Sequence, residues 1–249
     1  MYDCSWNEVR PNIIATSQGD GSVKVWDTLL RPDQACVRSL HAHGRECVSV
    51  RWSHLRPELL ASASWDDSGR IWEPESGTCT RILAEHSYCV YAIRWNVKQP
   101  DVLLTVSGDR GAKIWDLRKP TSSLTIPAHA QEITAGDWCK YNDCIIATGS
   151  VDRTVKIWDV RVPAHPLATL VGHELGLRAT VFSPWAENQL LTCGYDMSVH
   201  FWDVKRVQSP LVGKFQHHTE FVVGLDMSVL ERGLVASTGW DGLTHVWQL

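Results

Sequence analysis

The chain lacks any run of 18 apolar residues, and its first ten residues, MYDCSWNEVR, contain no apolar stretch of the kind that a secretory leader needs. It also lacks a basic excess, since 24 Lys and Arg stand against 28 Asp and Glu. A protein whose main ligand is a nucleic acid usually carries a basic surface. We therefore expect a protein that is neither secreted nor membrane-inserted and that does not bind nucleic acid.

Ligand sets for metals are also scarce in the sequence. None of the eight cysteines forms a CxxC pair, so zinc and disulfide interpretations are weak, and free thiols suggest a reducing compartment. The adjacent His217 and His218 have no cysteine or carboxylate beside them at ligand spacing. We predict no metal ion and no cofactor.

What the chain does contain is a spacing that repeats. Five times a histidine stands 23 residues before an aspartate, and six times an aspartate stands six residues before a tryptophan. Four residues before each aspartate is a serine or threonine, and fourteen before it is a large apolar residue. The aspartates follow one another at intervals of 46, 43, 43, 44 and 45 residues. This period is typical of the four-stranded blade of a β-propeller.

The segments between these positions are short, rich in β-branched residues and bounded by turn residues, as in CIIATGS, VDRT and VKIWDV over 144–160. No stretch keeps a helical period. We predict an all-β chain, with one domain over 1–249 and repeats that end near residues 27, 73, 116, 159, 203 and 249.

These positions resemble the WD-repeat propeller family, whose repeats carry a Gly-His or similar pair, a turn aspartate and a closing Trp-Asp. The pairs here include Gly172-His173 and Ala42-His43, and Trp-Asp closes four repeats, at Trp26, Trp115, Trp158 and Trp202. The resemblance implies that each blade holds a buried hydrogen-bonded network. Its members would be His43, Ser62, Asp66 and Trp72; His86, Thr105, Asp109 and Trp115; His129, Thr148, Asp152 and Trp158; His173, Thr192, Asp196 and Trp202; and His218, Ser237, Asp241 and Trp247.

Ser, His and Asp together also suggest nucleophilic catalysis. A catalytic triad is a single site, however, whereas this set recurs five times at equal spacing. We therefore predict a scaffold and not an enzyme.

Longer stretches resemble a narrower family, the peroxisomal import receptors for the type 2, N-terminal targeting signal. The stretches are IPAHAQEITAGDWCKYND over 126–143, FSPW over 182–185 and QHHTEFVVGLDMS over 216–228. Receptors of this family have seven blades, and the outer strand occurs only five times here. We therefore expect an open ring that lacks the first blade of a seven-bladed parent.

The narrower resemblance implies a cargo receptor. It would bind, in the cytosol, proteins with an N-terminal amphipathic-helix peroxisomal signal, and would shuttle them to the peroxisome with a co-receptor. The signal shows a polar pair beside an apolar pair on one helical face, which calls for acidic and aromatic residues. Candidates on the face of the histidine loops and aspartate turns are Glu46, Trp65, Tyr91, Glu132, Arg178, Tyr195, Phe221 and Trp240.

An alternative function comes from WDLR over 115–118 and WDVR over 158–161. These segments fit the WD-x-Arg pattern of substrate adaptors for cullin-4 ubiquitin ligases. In such adaptors Arg118 and Arg161 would dock the ligase on the opposite face.

Overall fold

The computed structural model describes all 249 residues, and every regular element in it is a β-strand. The 23 strands form six antiparallel sheets, here called blades one to six in chain order; five have four strands and the last has three. The predicted all-β propeller class with six repeats is therefore confirmed. No helix is present that is long and apolar enough to cross a membrane.

Contacts within the chain group it into two compact units, Met1–Thr125 and Ile126–Leu249. The first unit holds blades one to three, apart from the last two residues of β12. Its strands are β1 Asp3–Trp6, β2 Ile13–Ser17, β3 Ser22–Asp27 and β4 Cys36–His41; β5 Cys47–Trp52, β6 Leu60–Ser64, β7 Gly69–Glu73 and β8 Thr78–Leu83; β9 Val90–Trp95, β10 Val102–Ser107, β11 Gly111–Asp116 and β12 Ser122–Pro127.

The second unit holds blades four to six. Blade six ends with its third strand. The strands are β13 Ile133–Trp138, β14 Ile145–Ser150, β15 Thr154–Asp159 and β16 Ala168–Val171; β17 Leu177–Phe182, β18 Gln189–Gly194, β19 Val199–Asp203 and β20 Leu211–Phe215; β21 Val222–Met227, β22 Leu234–Gly239 and β23 Thr244–Gln248.

Each blade is a simple meander in which neighbours in sequence are neighbours in the sheet. Within each unit the first strands of successive blades contact one another, as β5 does β1 and β9. The core lies between adjacent blades. For example, Leu170 of blade four packs with Phe182 and Trp202 of blade five, and all three are at most 2% exposed. A blade therefore depends on its neighbour to cover one of its faces.

A tight turn joins the second and third strands of every blade. Its aspartate accepts a hydrogen bond from the backbone N–H two residues later, which is the bond of an Asx turn. The residue after the aspartate has a φ between +61° and +80° in all six blades: Gly21, Asp67, Arg110, Arg153, Met197 and Gly242. The left-handed conformation costs a non-glycine residue about 1 kcal/mol. The aspartate bonds hold it in place.

Candidate functional site

The structure brings together the network residues of blades two to five. The histidine Nδ1 lies 2.7–2.9 Å from the turn aspartate and the Nε2 lies 2.7–2.8 Å from the strand hydroxyl. The tryptophan Nε1–H donates to the same hydroxyl oxygen over 2.7–3.0 Å. Buried polar groups are favourable when each has a partner, and these do.

The network stabilises the ionised form of the turn aspartate. Burial raises the pKa of Asp109, but the hydrogen bond and charge of His86 outweigh that effect and bring the pKa to about 2. Burial lowers the pKa of His129. The hydroxyls of Ser62, Thr105, Thr148 and Thr192 are fully buried, so no substrate reaches them. The arrangement holds the histidine loop against the aspartate turn.

Blades one and six depart from this arrangement. In blade one, which has no histidine, the Gln18 amide donates to the Thr16 hydroxyl over 2.8 Å, and the Trp26 N–H donates to the same hydroxyl over 2.8 Å. In blade six His218 lies 2.9 Å from Asp241 and 2.8 Å from Ser237. The indole N–H of Trp247, however, is buried without a partner. Trp247 is thus the one predicted network member of blade six that makes no hydrogen bond to the network.

One further backbone bond recurs and positions the predicted surface residues. The residue before the turn aspartate donates its N–H to the carbonyl of the residue three after the histidine, over 2.9–3.0 Å. The two sets of candidate positions are therefore adjacent in blades two to six. The pairs are Trp65 with Glu46, Gly108 with Cys89, Val151 with Glu132, Tyr195 with Gly176, and Trp240 with Phe221.

In the second unit this pairing builds an aromatic row across blades five and six. The ring centroids of Tyr195 and Phe221 are 5.1 Å apart in an edge-to-face arrangement, and those of Phe221 and Trp240 are 5.3 Å apart. Trp240 is 66% exposed. The row continues toward blade four, because a Cβ at Gly176 would lie 3.1 Å from Val151 and 3.5 Å from Tyr195. Arg178 lies two residues after Gly176, and the Glu132 carbonyl accepts the N–H of Val151; both side chains are half-buried.

The first unit holds a smaller set at the equivalent positions. Trp65 is half-buried, packs at 6.0 Å against the ring of Tyr2, and has an indole N–H that is buried without a partner. The carboxylate of Glu46 lies 4.0 Å from Arg45. Tyr91 is half-buried. Of the four predicted tryptophan and tyrosine positions outside the network, Trp65, Tyr91, Tyr195 and Trp240, only Trp240 presents most of its side chain to solvent.

The two arginines of the ligase alternative are exposed, but each is paired with the aspartate of its own Trp-Asp. Arg118 donates through Nε and Nη2 to Asp116 over 2.8 and 2.7 Å, and Arg161 makes the same fork to Asp159. The hydrogen bond from Arg118 lowers the pKa of Asp116 to about 2.

The sequence analysis missed a position four residues after the turn aspartate. It is basic in the first four blades, with Lys24, Arg70, Lys113 and Lys156, and histidine in the last two, with His200 and His245. The ring of His200 stacks on that of His173 at 3.8 Å, and the ring of His245 lies edge-on to that of His218 at 4.7 Å. The change from Lys or Arg to His is visible only once the repeats are aligned.

Comparison with protein-family models matches the family described as "WD domain, G-beta repeat" over residues 1–27, 34–73, 77–116, 120–159 and 164–203. Together these ranges make up most of the chain.

Known proteins with similar sequences carry receptor names. A protein of Dictyostelium discoideum named "Peroxisomal targeting signal 2 receptor" is 57% identical over 233 residues, which are 94% of this chain and 74% of that protein. "Peroxisome biogenesis protein 7" of Arabidopsis thaliana is 49% identical over 83 residues, and the "Peroxisomal targeting signal 2 receptor" of Mus musculus is 37% identical over 82. Each of these two segments spans a third of this chain and 26% of the relative.

Proposed function

The chain belongs to the WD-repeat propeller family and, within it, to the peroxisomal targeting signal 2 receptors, and on that premise we propose that it binds the N-terminal type 2 targeting signal of peroxisomal cargo proteins. The proposed contact surface in the second unit is the aromatic row Tyr195, Phe221 and Trp240 with Glu132 beside it. Glu46, Trp65, Tyr91 and Arg178 hold equivalent positions and belong to the same proposal.

The observation that carries the proposal is the exposure of Trp240 at the end of a row of touching aromatic rings. A tryptophan that is 66% exposed keeps a large apolar area in water unless a partner covers it. Phe221 packs against the Trp240 ring and Tyr195 packs against Phe221, so these contacts restrict the ring before a ligand arrives. Rigid aromatic side chains at the centre of an interface commonly supply much of the binding free energy.

A helical signal peptide fits such a row. Residues seven apart on a helix lie two turns apart on one face, about 10 Å along the axis. An apolar pair of this kind can cover two rings of the row, while the basic residue of the polar pair lies near Glu132. Val151 donates its N–H to the Glu132 carbonyl and lies close to Gly176, whose carbonyl accepts the N–H of Tyr195. The charged Glu132 and the aromatic row are therefore linked through neighbouring residues of the second unit.

The test is a titration of a fluorescently labelled type 2 signal peptide against the full chain and three variants. Trp240→Ala should weaken binding by ~2 kcal/mol or more, with little salt dependence. Glu132→Lys should weaken it through lost attraction and new repulsion, and part of that loss should diminish as salt is added. Arg118→Ala is the control and should bind as the wild type does. Equal affinities in all four proteins would contradict the proposed surface, and a loss only in Arg118→Ala would reverse the choice of face.

Delivery with a co-receptor, and movement from the cytosol to the peroxisome, form the second part of the proposal. Affinity capture separates it from the ligase-adaptor alternative. Peroxisomal matrix enzymes together with a co-receptor are the expected companions. Cullin subunits that disappear in an Arg118→Ala, Arg161→Ala double variant would favour the alternative instead.

A further inference from the structure

We propose that blade six contains a binding site for a divalent transition-metal ion of the zinc type, formed by His218, Asp241 and His245. Each of these residues offers one ligand atom, and the three atoms lie within 4.8 Å of one another. Two imidazole nitrogens and one carboxylate oxygen are a donor set that zinc binds, with water in the fourth position. The site shares no residue with the proposed peptide surface and does not depend on it, although Asp241 directly follows Trp240. It departs from the expectation of no metal ion, because Asp241 and His245 lie 23 and 27 residues beyond His218 in the sequence and only the fold brings the three together.

His218 can bind a metal ion through Nδ1 because the proton of its ring can then be carried by Nε2. Its Nδ1 lies 2.9 Å from Asp241 and its Nε2 lies 2.8 Å from the Ser237 hydroxyl. When a metal replaces the proton on Nδ1, that proton moves to Nε2, which then donates to the Ser237 oxygen. A hydroxyl oxygen has two acceptor lone pairs, so the Ser237 oxygen can accept this bond. The resulting hydrogen bond orients the imidazole from behind, as outer-shell partners of metal sites do.

His245 supplies a nitrogen that no other group uses. Its Nε2 is buried and has no hydrogen-bond partner. The cause is local. In blade five the equivalent His200 Nε2 lies 3.1 Å from the hydroxyl of Ser198, whereas blade six has Leu243 where Ser198 stands. An unpaired buried nitrogen is costly, and a metal ion shared with Asp241 would satisfy it.

Blade five offers the same three residue types and shows why the inference is confined to blade six. His173, Asp196 and His200 also lie within ligand distance of one another. There, however, the Ser198 hydroxyl donates to Asp196 over 2.8 Å and lies 3.1 Å from the His200 Nε2, so that only the Nδ1 of His200 is buried without a partner. The nitrogen that corresponds to the unpaired Nε2 of His245 is therefore already hydrogen-bonded in blade five. We therefore expect no metal in blade five.

The experiment measures Zn²⁺ binding to the full chain at neutral pH, by equilibrium dialysis with elemental analysis and by calorimetry. We expect one Zn²⁺ per chain. His245→Lys should lower the affinity at least about tenfold, because it removes a ligand. Lysine is suited to this position, since blades one, three and four already hold it there. Leu243→Ser should lower the affinity about 3-fold to 10-fold, the worth of one hydrogen bond offered to His245.

Two matched variants complete the design. His217→Ala removes the exposed neighbour of His218, and His200→Gln alters blade five; both should keep the stoichiometry and an affinity within about threefold of the wild type. Melting curves in chelator should show each variant folded, so that a loss of zinc is not a loss of structure. The inference is overturned if the wild type binds no stoichiometric zinc, if His245→Lys binds as tightly as the wild type, or if His217→Ala loses zinc as fully as His245→Lys.

Discussion

Blades five and six carry the same four kinds of network residue, but their tryptophans have different surroundings. Trp202 is fully buried, and its N–H donates to Thr192 over 2.8 Å. Trp247 is half-buried, and its N–H has no partner. A glycine, Gly172, precedes the network histidine of blade five, and a Cβ there would lie 2.8 Å from the Trp202 ring. Blade six has His217 at this position, with its ring 5.1 Å from that of Trp247.

The two blades show that the repeat spacing places the network residues but does not complete the network. The histidine, hydroxyl and aspartate come together in both blades, because the histidine loop leads into the first strand of the sheet that carries the hydroxyl and the turn aspartate. The tryptophan makes its bond only where the surrounding packing brings the indole onto the hydroxyl. Whether the network is complete therefore depends on the packing between blades as well as on the fold of each blade.

The largest effect should come from truncating the two tryptophans. Trp202→Ala should lower the free energy of unfolding by about 3–5 kcal/mol, because it leaves a cavity in a fully buried site and removes one of the two hydrogen-bond partners of Thr192. Trp247→Ala should cost only about 1–2 kcal/mol, since less surface is buried and no hydrogen bond is lost. Urea unfolding curves measure both. Equal losses would mean that the unpaired indole of blade six contributes as much as the paired one.

A second comparison removes the aspartate from a blade with a histidine and from one without. Asp152→Ala should lower the free energy of unfolding by about 1–3 kcal/mol, because it leaves His129 and Thr154 without their acceptor. Asp20→Ala in blade one should cost clearly less than Asp152→Ala, since Asp20 is exposed and bonds only to Ser22. If Asp152→Ala melts at the wild-type temperature, the buried network does not stabilise the fold.

Acid should weaken blade five through His200. Burial lowers the pKa of His200 to about 4, and the charges of His173 and Lys214 act in the same direction, against Asp196. A histidine in the unfolded chain titrates near 6.5. Below that pH the unfolded chain therefore binds a proton that His200 does not bind in the folded chain, until the pH approaches 4. Stability should therefore fall between pH 6.5 and about 4. His200→Gln should make this fall less steep in urea unfolding measured across the range; an unchanged slope would contradict the assignment.

The turn aspartates extend the acid dependence to lower pH. The folded pKa of Asp109, about 2, lies below the value near 3.9 of an unfolded aspartate. Its contribution is therefore present above pH 3.9 and is lost as the pH falls toward 2. The two titrations can be separated because His200→Gln should alter only the higher range.

Much of this arrangement follows from the sequence, because a strict residue spacing in short strands fixes which side chains share a sheet and a turn. The His129, Thr148 and Asp152 contacts are of this kind. That the Trp247 N–H has no hydrogen-bond partner could not be predicted, since the position of the indole depends on packing between blades. Nor could the burial of Trp65, which Tyr2 covers from another blade. Gln18 could have been found, as an amide that lies two residues beyond the Thr16 hydroxyl in the one repeat without a histidine.

The smallest expected effect tests whether Gln18 replaces the histidine in blade one. Gln18→Ala should cost about 0.5–1.5 kcal/mol, the net worth of one hydrogen bond, because Thr16 still accepts from Trp26 and Asp20 keeps Ser22. His129→Ala in blade four should cost more, since it strips a partner from both Asp152 and Thr148, which are buried or nearly so. Urea unfolding of the two variants measures the difference. If Gln18→Ala costs as much as His129→Ala, a single amide stabilises blade one as strongly as the histidine pair stabilises blade four, and the aspartate would add nothing to the network.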